Sequence, residues 1–166
     1  MEIMKGKFTI GAIVLNHFGV LNRVAGLFAK RCCNIYSLAV GETEDPTVSR
    51  MTIVAEGNDE DKDQMLKQLL KLHDVYRAAA LEPESSDLRE HMLVKLVANN
   101  GNNSHIINII NEYGGKVIDF SPTTITAEFA GYKHNNAEFI EQAKKFGIIE
   151  LCRAGVIALA KGEERI

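Results

Sequence analysis

NHFGVLNRVAGLFAKRCCN, residues 16–34, stands between the apolar run FTIGAIVL at 8–15 and a second apolar run, IYSLAV, at 35–40. The order reads as strand, tight glycine turn, one amphipathic helix, strand. Gly19 comes just before the periodic apolar residues, so the unpaired backbone N–H groups of the helix start point outward with nothing bulky over them. Such a spot suits a small anion, for instance a free carboxylate. Within the helix Leu21, Val24, Ala25, Phe28 and Cys32 recur at intervals of three and four and predict one apolar stripe, while Asn22, Arg23, Lys30 and Arg31 fall mainly off it. Lys30 and Arg31 near its end complement the helix dipole.

Working outward, Ile35 to Gly41 and Val48 to Ala55 are strand-like runs separated by Asp45 and Pro46, which predicts an antiparallel hairpin. Asn58 or Asp59 can cap a helix carrying Met65, Leu66, Leu69 and Leu72, and Val75 to Leu81 reads as a short strand. Strand, helix, strand, strand, helix, strand is the split βαβ or ferredoxin-like order: an antiparallel sheet with both helices on one face. The segment EPESSDLRE at 82–90 is polar and poor in apolar residues, which suits a linker over 83–89.

The same order returns beyond it. Met92 to Ala98 is a strand. Asn99 to Ser104 is a polar loop with a helix cap at Asn103 or Ser104, and Ile106, Ile109, Ile110 and Tyr113 form a helical stripe stopped by Gly114 and Gly115. Lys116 to Phe120 and Thr124 to Ala130 are strands flanking a turn at Ser121 and Pro122. Asn136 can cap a helix with Phe139, Ile140, Ala143 and Phe146, closed by Gly147; Ile148 to Ala160 is a last extended run broken by Gly155. The predicted class is α+β: two βαββαβ domains, at 1–82 and 90–166, a repeat of element order rather than of residues.

With 166 residues, 46% of them hydrophobic and 25% charged, the composition is that of a soluble globular protein, and no apolar run reaches the length of a membrane span. A formal net charge of -3, with lysines scattered, gives no footprint for nucleic acid. The start MEIMKGK is not followed by the apolar stretch of a signal peptide, so the cytoplasm is the expected compartment. Three cysteines, two of them the neighbours Cys32 and Cys33, read as small buried hydrophobes under reducing conditions. His17, His73, His91, His105 and His134 lie in different elements without metal-ligand spacing. No glycine-rich phosphate loop follows a strand, and no nucleophile stands with a base. No catalytic residue and no metal ligand is expected.

Residues 16–34 therefore carry two readings. In the structural one, Asn16 ends a strand, Gly19 supplies a turn and Asn34 is a left-handed helix cap. In the functional one, the N–H groups after Gly19 hold a carboxylate, the carbonyl oxygens of Asn16 and Asn34 accept from an ammonium group, and Leu15, Val20 and Ile35 enclose an aliphatic side chain. Such a site describes a free amino acid, bound and not transformed.

NHFGVLNRVAGLFAKRCCNIYSL followed by EDPTVSRMTI resembles the N-terminal ACT domain of the small, regulatory subunit of acetolactate synthase, also called acetohydroxyacid synthase. The likeness continues through LKQLLKLHDVYR, EHMLVKL, IDFSPTTITAEFAG and RAGVIALAKG, nearly the whole chain. It implies a non-catalytic chain that binds and activates a large subunit, a thiamine diphosphate enzyme with Mg and FAD of its own. That enzyme condenses pyruvate with a second 2-oxo acid. The likeness further implies feedback inhibition by valine or another branched-chain amino acid.

It also implies a homodimer through paired ACT domains. The effector would lie at the interface, against Asn16, His17, Phe18, Gly19, Val20 and Leu21 of one chain and Asn34 and Ile35 of the other. This suits the geometry, since Asn34 lies beyond a helix of more than three turns, roughly 20 Å from Gly19, and one chain cannot close both ends around one valine. The chain departs from the family pattern at Cys32 and Cys33, where a glycine and an aromatic are expected, and at Phe18. A second reading is a freestanding ACT-type amino-acid sensor acting on a different partner enzyme.

Overall fold

The computed structural model describes residues 6–99 and 101–166. Residues 1–5, part of the stretch read as lacking a signal peptide, lie outside the described residues, as does Asn100 of the polar loop. The chain divides into two compact units. One is the chain up to Asp87 together with Val156–Ile166, and the other is Leu88–Gly155.

The first unit contains β1 (Gly6–Leu15), α1 (Val20–Lys30), β2 (Ile35–Glu42), β3 (Val48–Gly57), α2 (Asp59–Leu69) and β4 (Val75–Ala80). Its strands lie in the order β2-β3-β1-β4, each antiparallel to its neighbours. Alternation along β1 sends Phe8, Ile10, Ala12 and Val14 to the helix side. There they meet Met51, Ile53 and Ala55 of β3 and Val24, Phe28, Met65 and Leu69 of the helices. Phe28 is fully buried, a burial that contributes about 1.5–3 kcal/mol. Asn58 caps α2 with a reciprocal box: its side chain accepts from Asp61 N, and Asp61 accepts from Asn58 N.

Helix α1 differs from expectation in two ways. Its buried row is Val20, Val24 and Phe28, spaced by four, whereas Leu21 is 46% exposed and Cys32 lies beyond the helix end. The row is set by which residues face the sheet, and starting at Val20 turns Leu21 to the side. The left-handed cap is Cys32, with φ 53°, and not Asn34. Cys32 N donates to Ala29 O and Cys33 N to Phe28 O, both at 3.0 Å, which is a Schellman closure. The chain must reverse this soon to bring Ile35 into the sheet. Cys32 and Cys152 are exposed, against the expectation of buried hydrophobes, whereas Cys33 is half-buried against the core and its Sγ donates to Glu56 O at 2.9 Å.

The second unit repeats the plan with β5 (Ser86–Val97), α3 (Asn103–Glu112), β6 (Lys116–Phe120), β7 (Thr124–Gly131), α4 (Lys133–Ala143) and β8 (Ile148–Ala160), a single 3-10 turn at Lys144–Phe146 preceding β8. Strand order is β6-β7-β5-β8, the same ferredoxin-like arrangement. Met92, Val94 and Leu96 pack against Ile106, Ile110, Ile125 and Phe129, and the Phe129 and Phe139 rings lie 4.1 Å apart.

Four boundaries move. β5 begins at Ser86, so half of the stretch read as linker is strand; Glu90, buried at 3% exposure, hides the alternation. Glu90 is neutralised by Arg153, whose Nη2 donates to its carboxylate at 2.6 Å. Asn136 does not cap α4, which starts after Tyr132. Asn136 is itself buried, donating to Glu90 O and Oε2 at 3.2 Å. α3 starts after Asn102 rather than Asn103 or Ser104. Finally, the chain passes from the second unit to the first at Gly155, held at φ 82°, so 156–166 do not belong with 90–155. These last residues cover the helix-free face of the first sheet: Val156 N donates to Ser37 Oγ at 2.8 Å, and a Cβ on Gly11 would collide with Ile166 and Leu81.

Candidate functional site

The loop from Leu15 to Val20 is fastened from both sides. Leu15 N donates to Asp74 O at 2.8 Å and Asn16 N to Thr47 O at 2.7 Å, so the end of β1 is pinned between two neighbouring turns. Asn16 Nδ2 donates to Glu42 Oε1 at 3.0 Å and to Pro46 O at 2.8 Å. Both amide hydrogens of Asn16 are thus used within the chain, and its Oδ1 remains as an acceptor.

His17 sits between two acceptors, with Nδ1 3.0 Å from Phe18 O and Nε2 3.1 Å from Asp74 Oδ1. Phe18 is fully exposed. Gly19 has φ 87° and ψ -9°, a left-handed conformation that a Cβ disfavours, and a Cβ there would also come within 3.3 Å of Arg23 Nη1. Arg23 N bonds Gly19 O at 3.0 Å and opens the helical ladder. No side chain caps α1 and no acidic residue stands in its first turn. The amides of Leu21 and Asn22 have no acceptor among the described residues. Two N–H groups at the positive end of a helix dipole, uncovered by any carboxylate, can hold an anion.

The apolar side of the expected pocket is arranged differently from the expectation. Val20 is buried in the core, and Leu15 and Ile35 are partly buried against it. The Leu15 and Val20 side chains thus turn inward at the two ends of the loop. The apolar groups open to solvent here are Phe18 and Leu21. Asn34 is exposed, and its backbone O accepts from Glu56 N at 3.0 Å. It lies beyond the far end of α1, whose 11 residues span about 16 Å. The structure therefore brings Asn16, His17, Phe18, Gly19, Val20 and Leu21 together and keeps Asn34 and Ile35 apart from them within one chain.

One residue whose role is not visible in the sequence organises the loop. Asp74, 7% exposed, accepts from Arg23 Nε at 2.6 Å as well as facing His17. The hydrogen bond from Arg23, aided by the charges of Arg23 and His17, holds the Asp74 carboxyl below its ordinary range against the opposing effect of burial. A carboxylate placed just ahead of the strand Val75–Ala80 was the only local sign of it.

No group of three or more metal-ligand side chains exists among the described residues, and no described helix is long and apolar enough to cross a membrane. Residues 10–77 match the profile of the AHAS small subunit-like ACT domain, and residues 89–162 that of the small subunit of acetolactate synthase. The chain belongs to the acetolactate synthase small-subunit family.

Full-length similarity agrees. The "Probable acetolactate synthase small subunit" of Methanothermobacter thermautotrophicus is 42% identical over 163 residues, 98% of this chain and 97% of that protein. The acetolactate synthase small subunit of Haemophilus influenzae is 35% identical, over 95% of this chain and 97% of its own length. The crystal structure of the acetolactate synthase small subunit from Thermotoga maritima superposes with a TM-score of 0.88 at 30% identity, covering 96% of this chain and 99% of that one. The small-subunit family places the glycine loop in an ACT domain, where the loop's open amides accord with a regulatory role.

Proposed function

We propose that this chain is the regulatory subunit of an acetolactate synthase, non-catalytic alone, which binds and activates a thiamine diphosphate-dependent large subunit and carries valine inhibition to it. The observation that carries the reading is the uncapped start of α1. Gly19 clears the approach, and the Leu21 and Asn22 amides stand open to a carboxylate. An effector that binds one state of the assembly more tightly than another shifts the large subunit between them.

Valine is shared between two chains in this proposal. The carboxylate goes to the loop of one protomer and the ammonium to Asn16 Oδ1 and to the partner's Asn34. β2 is an edge strand with exposed Tyr36 and Val40, which supports side-by-side pairing of two first units. Thiamine diphosphate, Mg and FAD belong to the large subunit, and the complex works in the cytoplasm. The test is acetolactate formation by the cognate large subunit with and without this chain, at graded valine. Stimulation that valine reverses is expected. Absence of stimulation would overturn the reading in favour of an amino-acid sensor serving another enzyme.

A further inference from the structure

Arg50 lies on β3, opposite Ile13 of β1 and Gly41 of β2. Its Nη2 donates to Ala158 O at 2.8 Å, while its Nε is buried with no acceptor. Among the described residues no ion pair involves Arg50, Arg77 or Arg165. Burial alone pulls the Arg50 guanidinium below its ordinary pKa, as expected of a cation that has lost water without gaining an anion.

Around Arg50 opens a hollow of about 980 Å³, the size of a small-molecule site, and Ile13, Tyr76, Arg77, Leu159 and Arg165 share its lining. Four carboxylates also border it, Glu42, Glu44, Asp45 and Glu164. Two of them are engaged: Glu42 accepts from Asn16, and Asp45 accepts from the Thr47 backbone and hydroxyl, which hold its carboxyl low. Glu44 and Glu164 are exposed. Tyr76 and Leu159 are large apolar groups left 55% and 62% open. None of the effector-site residues lines the hollow, although Glu42, which does, accepts from Asn16.

We infer that this hollow is a second small-molecule site, for a carboxylate with an apolar body. The carboxylate meets the Arg50 fork, the body lies on Ile13, Tyr76 and Leu159, and Arg77 and Arg165 add positive charge around it. A guanidinium can meet a carboxylate through two parallel N–H bonds, which a lysine cannot copy.

Calorimetry and thermal shift on the full chain, at fixed ionic strength with sodium chloride as the blank, test the site with 2-oxoisovalerate, acetate and valine. Saturable 2-oxoisovalerate binding is expected, at least tenfold tighter than acetate, which lacks the body. Gly19→Asp should retain it, which separates this site from the valine loop. Arg50→Lys should weaken it at least tenfold. Leu159→Glu, at an exposed position that leaves the core untouched, should abolish it. Valine binding that survives Gly19→Asp but is lost in Leu159→Glu would show that the site also takes the zwitterion. No saturable binding of 2-oxoisovalerate to the unaltered chain, or undiminished binding of it in Leu159→Glu, overturns the inference.

Discussion

Arg23 and Asp74, 51 residues apart, are joined at 2.6 Å, and through that bond the start of α1 is tied to the turn before β4. The same carboxylate holds His17, and the same residue's backbone O holds Leu15. The loop that offers its amides to an anion is thus positioned by a group that need not touch the anion.

Asp74→Asn should loosen this loop. Because the folded Asp74 carboxyl titrates below its ordinary value, its contribution to stability is fully present above the unfolded pKa near 3.8 and fades as pH falls through the lower folded value. Urea unfolding of the native and variant chains from pH 7 to pH 2 should give a stability gap that is constant above about pH 5 and closes below pH 4. A gap independent of pH would show that the charge on Asp74 contributes nothing.

Cys32→Gly should stabilise the protein. Cys32 occupies a left-handed position at φ 53°, which costs a residue with a Cβ about 1 kcal/mol. A rise in midpoint on thermal unfolding is expected, with the Schellman bonds to Phe28 and Ala29 kept. A fall would mean that the thiol itself contributes to the helix end.

Arg153→Met should destabilise the second unit by about 3 kcal/mol, since it leaves the Glu90 carboxylate buried and without its cation. Replacing Glu90 together with Arg153 by apolar residues should cost much less. Denaturant titration of both variants distinguishes a pair needed for stability from one that is dispensable.

Phe28→Ala should cost about 3–5 kcal/mol, the range for emptying a fully enclosed aromatic site. Leu21→Ala, at a 46% exposed position about two turns earlier, should cost under about 1 kcal/mol. Equal losses would mean that the apolar row of α1 runs through Leu21.

The strands, the turn at Gly19 and the Asn58 cap were legible in the sequence because each is decided by a few neighbouring residues. The Gly155 break was legible for the same reason, yet not its consequence: Ile148 to Ala160 reads as one run, and only its contacts with Ser37 and Arg50 show where its end goes. Glu90 concealed the start of β5, because a buried carboxylate looks like a loop residue until Arg153 and Asn136 are brought to it. Of the site, Gly19 could be read locally. Asp74 could not, since its partners are Arg23 and His17, far along the chain.

Complementation between two disabled variants tests the shared effector site most directly. Gly19→Asp places a carboxylate against the effector's own, and Asn34→Lys places an ammonium against the effector's ammonium at the other half-site. Each homodimer should lose valine binding in calorimetry. After the two are unfolded together, refolded and mixed, every heterodimer carries one site with both halves intact, so binding should return at about a quarter of the native stoichiometry, one site in half the dimers. A mixture that binds no valine, although heterodimers form, would contradict a site built from Gly19 of one chain and Asn34 of its partner.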